Sequence, residues 1–229
     1  MNEHAPALHI DTLRFRYPSS VTDSPWVVDV GSFSLGVGEQ VLLTGASGRG
    51  KSTLLYLIAG LIEPAGGSVS VAGRDIFSVR GSQRDLFRGT KIGMIFQTFN
   101  LLHGFSALEN VLAALLFSSI RPKEHDARAK ELLDAVGIDS PGREVTQLSI
   151  GQQQRVAVAR AVATSPAVVL ADEPTASLDP ENAEAAMDLI QSTCRSVGAA
   201  LLCTSHDPAM ATRFTRSESI DDLATPVRA

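Results

Sequence analysis

The chain lacks a basic excess, a cysteine framework and any long apolar run, and each absence removes a class of function. Its 229 residues carry 20 Lys and Arg against 25 Asp and Glu, a formal net charge of −5. Nucleic-acid binding would want a basic stripe, so no nucleic-acid partner is expected. The two cysteines, Cys194 and Cys203, make no metal or redox spacing and read as reduced thiols. No basic-apolar-small leader opens the sequence, so no secretory signal is expected. The richest apolar stretch, Val111 to Phe117, falls far short of the about 20 residues that a membrane span needs. If the protein serves a membrane, another chain supplies the spans. No Asn-Lys-x-Asp string that would read guanine, no internal repeat and no low-complexity tract is present.

Hydropathy patterning gives an α/β expectation. Leu8 and Ile10, then Leu13, Phe15 and Tyr17, alternate with polar residues, as do Phe33, Leu35 and Val37. Strands are expected over Gln40–Thr44, Ser68–Val71, Ala167–Ala171 and Ala199–Cys203. Ser106-Ala107-Leu108-Glu109 reads as a capping box opening a helix, and Gly137 is placed to end the next one. Helices are expected over Gly151–Thr164 and Pro180–Val197. Apolar strands separated by helices indicate a parallel sheet buried on both faces. With 44% hydrophobic residues and no long linker, the helical middle reads as an insertion into one α/β core.

Short motifs carry the chemistry. Gly45-Ala46-Ser47-Gly48-Arg49-Gly50-Lys51-Ser52 follows an apolar strand and opens a helix, the context that makes such a string a phosphate site. The glycines let successive N–H groups turn toward anionic oxygens, and the helix adds its positive end. Lys51 is placed for the β- and γ-phosphates and the Ser52 hydroxyl for Mg²⁺. Asp172 and Glu173 end an apolar strand, where open α/β sheets bind ligands. Asp172 suits Mg²⁺ and Glu173 suits a base toward attacking water. Leu148 to Arg155 opens a helix behind a serine, a second N-terminus with N–H groups for an anion. His206, in Thr204-Ser205-His206-Asp207, and Gln97, after Met94-Ile95-Phe96, each follow an apolar strand. Alone, each has a plain structural reading: a turn, a cap, a strand end.

Together they resemble the nucleotide-binding subunit of an ABC transporter, a likeness running from about Leu8 to Asp207. It implies a P-loop NTPase (RecA-like) core with a parallel sheet, an N-terminal antiparallel β subdomain and an inserted α-helical subdomain. The expected layout is one domain over 1–229, with the core and β subdomain at about 1–97 and 165–229 and the helical part at 98–164. The cofactors it implies are ATP and Mg²⁺. The resemblance assigns catalysis to Glu173, His206, Gln97 and Lys51, and Mg²⁺ to Ser52, Gln97 and Asp172. Nucleotide contacts fall to Tyr17, Gly45, Ala46, Ser47, Gly48, Arg49, Gly50, Lys51, Ser52, Thr53, Ser149, Gly151, Gln152 and Asp179. Tyr17 matches the adenine-stacking aromatic, Leu148 to Gln152 the signature, and Ser177-Leu178-Asp179 the D-loop.

The family pairs two such subunits head to tail, so a homodimer on ATP binding is expected, working on an integral-membrane permease of a separate chain. The expected location is cytoplasmic, on the inner face of the cell membrane. The strings Ile92 to Gln97, Phe99 to Leu102, Leu108 to Val111 and Gln152 to Ala157 are similar to the lipoprotein-release, macrolide-export and cell-division branch. Departures are Ile150 for a signature glycine, Arg49 for a small residue, and a tail without the usual Asp-Gly hairpin, for which Arg216 to Asp221 stands as a substitute. Arg49 is expected near phosphate or facing solvent. Phe99, Leu101, Leu102 and Phe105 either pack the helical part or line a groove for a permease helix. The rival readings are a regulatory ABC ATPase that moves no cargo and a soluble P-loop nucleotide kinase.

Overall fold

The computed structural model describes residues 5–18, 25–176 and 178–224, without the side chains of residues 180 and 208. The elements in chain order are β1 (Leu8–Phe15), β2 (Val28–Leu35), β3 (Gln40–Thr44), α1 (Lys51–Ile58), β4 (Gly66–Val71), β5 (Arg74–Asp75), α2 (Ser82–Lys91), β6 (Ile92–Ile95), α3 (Ala107–Leu115), α4 (Pro122–Ala135), α5 (Ile150–Val162), β7 (Val168–Asp172), α6 (Pro180–Ser196), β8 (Ala200–Ser205) and β9 (Arg216–Ser219). Two sheets form, with orders β2-β1-β4-β5 and β6-β7-β8-β3-β9. The first is antiparallel and the second parallel throughout. This is the expected α/β architecture of a P-loop NTPase core with an antiparallel β part.

Alternation along the parallel strands divides the buried residues between two cores. Val41 and Leu43 of β3, Val168 and Leu170 of β7, and Ala200 and Leu202 of β8 pack with α1 and the antiparallel sheet. Leu42, Val169, Ala171, Leu201 and Cys203 pack on the other face with α3, α4, α5 and α6. Each strand therefore needs an unbroken apolar run, and that is what its sequence shows. Gly93 permits the close approach on the second face: a Cβ there would lie 2.1 Å from the Ala161 carbonyl oxygen. No helix of the described residues is long and apolar enough to cross a membrane.

The strands end together. Thr44 lies beside Ser205 and Asp172 beside Thr204, so the phosphate loop, Asp172-Glu173 and Ser205-His206 leave the sheet at one edge. The slip in phase between Ile10 and Leu13 has a local cause. Thr12 is left-handed (φ 47°), and the register against β4 shifts by one residue between Asp11 and Arg14.

Several expectations shift. Val37 lies beyond β2 and is 66% exposed. α3, expected from its sequence to continue from Asn110 to Ser118, ends at Leu115, and its Ser106–Glu109 capping box is present with both bonds made. The tail from Arg216 is regular rather than a loose substitute, because β9 joins β3 in parallel and extends the sheet. α2 escapes patterning because Phe87 is its one buried residue.

Candidate active site

The phosphate loop turns on glycines at positive φ, 154° at Gly45, 78° at Gly48 and 86° at Gly50. Gly50 also lets the loop close on the neighbouring strand, since a Cβ there would sit 2.4 Å from the Val27 carbonyl oxygen. It caps α1 with no side-chain hydrogen bond, so the first-turn amides keep their capacity to bind an anion.

The lysine of the loop is 5% exposed. Its Nζ donates to the carbonyls of Gly45 (2.8 Å) and Ala46 (3.2 Å) and lies 3.3 Å from Glu173 Oε1. The other carboxylate oxygen of Glu173 accepts from His206 Nδ1 at 2.6 Å. Glu173 is itself left-handed (φ 43°), a conformation costing a non-glycine residue about 1–3 kcal/mol. Its N–H donates to Thr204 Oγ1 (3.1 Å), and Gln154 Nε2 of α5 holds the next carbonyl, that of Pro174, at 2.9 Å. Those bonds fix the strained turn, which presents the carboxylate to the cavity.

Asp172 is 4% exposed and accepts from Ser52 Oγ (2.9 Å) and Thr204 Oγ1 (3.0 Å), both on Oδ1. A serine hydroxyl, a carboxylate and, at the cavity wall, the Gln97 side chain supply hard oxygen donors. Among the described residues no group of three or more His, Cys, Asp or Glu stands ready as a full metal cage. This sparse oxygen set fits Mg²⁺, which is held by one or two protein oxygens and completes its shell with water and phosphate oxygens.

These groups surround one cavity of about 630 Å³, lined by Tyr17, Val27, Ser47, Gly48, Gly50, Lys51, Ser52, Thr53, Gln97, Glu173 and His206. Tyr17 lies past the end of β1, half exposed and edge-on to Phe15 (4.9 Å between centroids), and its hydroxyl shares a 3.2 Å hydrogen bond with Thr53 Oγ1. Arg49 faces solvent, one of the two expectations for it, and stays away from the nucleotide cavity. Its guanidinium pairs with Asp221 after β9 and borders a different hollow, with Trp26 and Ile220.

The remaining expected residues lie elsewhere. Ser149, Gly151 and Asp179 line a separate hollow of about 450 Å³ between α5 and α6. The end of α5 is self-capped: Ser149 Oγ accepts from the Gln152 N–H (3.3 Å) and Gln152 Oε1 from the Ser149 N–H (3.0 Å). Not all of that helix end's amides are therefore free, contrary to the sequence reading. Asp179 caps α6; hydrogen bonds from the side chain and backbone of Asn182 hold its carboxyl below the ordinary value. Ser177 lies outside the described residues. Residues that sequence reasoning left without a role are Thr204, Gln154 and Arg160. For Thr204 a signal existed, a hydroxyl ending an apolar strand.

The four aromatic and aliphatic residues after Gln97 divide in two. Phe99 (6% exposed) and Leu101 (8%) belong to the core, while Leu102 (44%) and Phe105 (47%) are open to solvent. A charge at Leu101 would therefore strike the interior.

A glycine-turned loop whose lysine meets an Asp-Glu pair at the carboxyl edge of a parallel sheet defines a P-loop nucleoside triphosphatase. The ABC transporter family model matches residues 28–176. The chain is similar to the ATP-binding cassette MJ0796 in a dimeric post-hydrolysis state bound to ADP and Pi, with 31% identity, TM-score 0.80 and 96% of each chain covered. A second dimeric structure of MJ0796, described as a bacterial ABC transporter cassette, gives 31% identity and TM-score 0.81 over 93% of each chain. Similarity extends to cbiO1 from Clostridium perfringens, part of the ABC transporter complex cbiONQ, at 26% identity and TM-score 0.76, covering 89% of this chain and 79% of that one. The chain belongs to the ABC transporter family, as an ATP-binding cassette ATPase.

Proposed function

We propose that this subunit hydrolyses ATP between two head-to-tail copies of itself and so drives a separate membrane permease, from the cytoplasmic face of the membrane. The observation that carries the reading is the division of the expected nucleotide contacts between two hollows, one holding Lys51, Glu173 and His206 and the other Ser149, Gly151 and Asp179. One copy holds half a site at each place, and a two-fold pairing completes both. The dimeric cassettes among its structural relatives support this.

Ser52 and Asp172 would hold Mg²⁺, with Gln97 at the wall; the ion, when bound, neutralises charge on the β- and γ-phosphate oxygens. Within the chain Lys51 pairs with Glu173, and Glu173 is hydrogen-bonded by His206. A γ-phosphate entering the loop competes for Lys51 and releases Glu173 from it. The freed carboxylate takes a proton from the attacking water as the bond between the γ-phosphorus and its bridging oxygen breaks. ADP and phosphate leave. The His206 N–H that holds the carboxylate before nucleotide enters can donate to a γ-oxygen instead once it is bound, and Ser149 of the second copy adds a donor. Catalysis of this kind is positioning and electrostatics, so losing one group costs about 10²–10³-fold. Tyr17 would stack on the base, and Arg49 acts through Asp221 rather than on phosphate.

Residues 98–164 form the proposed helical part and transmit to the permease, within a single domain of 1–229. The surface for that contact is Leu102 and Phe105, exposed close to Gln97. The motif strings support the lipoprotein-release, macrolide-export and cell-division branch, whose members transmit force across the membrane. The test is Glu173→Gln. It is expected to keep ATP binding, lose hydrolysis by at least about 10²-fold and accumulate a closed dimer on size-exclusion chromatography. Hydrolysis at the parental rate would show that Glu173 is not the base.

A further inference from the structure

The chain between Gln97 and α3 makes a turn that its own residues disfavour. Phe99 and Asn100 are consecutive left-handed residues, φ 61° and 46°. A bulky aromatic is rare in that region. Local bonds alone, Phe99 N–H to the Phe96 carbonyl and Asn100 N–H to the Thr98 carbonyl, span only the turn itself. The Phe99 ring is buried in the core, and the backbone carbonyls of the turn are tied to the rest of the protein by Arg160 of α5. Its Nη2 donates to the Phe99 carbonyl and its Nη1 to the Asn100 carbonyl, each at 2.6 Å. Burial lowers the pKa of this guanidinium, and no carboxylate acts against that. A desolvated cation is thus spent on two neutral carbonyls of one strained turn, an arrangement that the planar fork of arginine meets and the single ammonium of lysine does not.

The other end of the segment is equally fixed. Asn110 is fully buried; its Oδ1 accepts from the Leu102 N–H (2.7 Å), and its Nδ2 donates to the carbonyls of Leu102 (3.2 Å) and Ser106 (3.0 Å). The stretch from Gln97 to Leu102 is therefore held from both sides. It opens on the nucleotide cavity at Gln97 and on solvent at Leu102.

We propose that Arg160 is a positioning residue for Gln97: by holding the left-handed turn at Phe99–Asn100 it sets the Gln97 side chain at the cation side of the nucleotide cavity. It touches neither nucleotide nor metal. Since Arg160 rides on the helix headed by Ser149, a displacement of α5 reaches Gln97 through this turn. The proposal rests on the reading of Gln97 as a Mg²⁺ residue given above.

The test compares the parent, Arg160→Lys, Gln97→Ala and the double variant in two measurements. One is amide hydrogen exchange of residues 98–102 in the nucleotide-free protein. The other is calorimetric ATP binding with and without Mg²⁺. Arg160→Lys is expected to speed exchange at 98–102 while leaving β6 unchanged, and to weaken Mg²⁺ binding in the ATP complex about tenfold with Mg²⁺-free ATP binding unchanged. The double variant is expected to be no worse than Gln97→Ala alone, because both act on one group. Parental exchange in Arg160→Lys, or losses that add in the double variant, would overturn the proposal. If Gln97→Ala keeps parental Mg²⁺ dependence, the metal role of Gln97 fails instead, and the exchange result still decides whether Arg160 holds the turn. Should Arg160→Lys not fold, Asn100→Pro removes the left-handed φ at an exposed position and is expected to give the same two changes; parental behaviour there overturns the proposal equally.

Discussion

Lys51 is almost wholly buried, its ammonium shared among two carbonyls and Glu173, whereas Ser149 stands exposed at the head of α5 with Gln152 as its capping partner. The first region has charge, burial and a cavity, and its polar groups are already matched to one another. The second has a helix end, a serine and two charged residues, Arg155 and Asp179, each already hydrogen-bonded to its own neighbours. On the proposed function, selectivity for a triphosphate and the chemistry of its cleavage would reside in the loop half. The α5 half adds donors only when something is brought to it. On that proposal one copy would bind nucleotide without being competent to cleave it.

The comparison breaks if the two halves respond alike to substitution. The largest effect is expected at Lys51. Lys51→Ala should weaken ATP binding by at least about 10²-fold, because it removes the buried cation placed for the phosphates and leaves Glu173 with His206 alone. A calorimetric titration at parental affinity would remove the loop half from the account. A smaller and purely surface effect is expected after Gln97. Leu102→Asp is expected to move the subunit from the membrane fraction of cells to the soluble fraction with its melting temperature unchanged. Leu101→Asp, a buried charge, should melt far lower. Retention of Leu102→Asp at the membrane would reject the permease surface.

Much of this was readable before the fold. The strands β3, β7 and β8 announce themselves as apolar runs, and a parallel sheet must bring their carboxyl ends to one edge, so Ser52, Asp172, Glu173 and His206 could be grouped from order alone. What was hidden depends on contacts between distant residues. Arg49 after β3 meets Asp221 after the neighbouring strand β9, and nothing near either residue in the sequence says so. Leu101 and Leu102 are adjacent and chemically identical, and only packing of the turn held by Arg160 and Asn110 puts one inside and one outside. The strained φ of Glu173 is likewise invisible in a motif; it follows from Thr204 and Gln154 gripping the chain on either side.

The decisive measurement mixes two inactive copies. Lys51→Ala keeps the α5 half and Ser149→Arg keeps the loop half, so a pair of one each contains one complete site and one with neither half. Each variant alone is expected to show ATPase activity at least about 10²-fold below the parent. Mixed in equal amounts, about half of all random pairs are heterodimers, and turnover should return to roughly a quarter of the parental rate. Activity no greater than that of either variant alone would contradict the shared site, and with it the head-to-tail dimer.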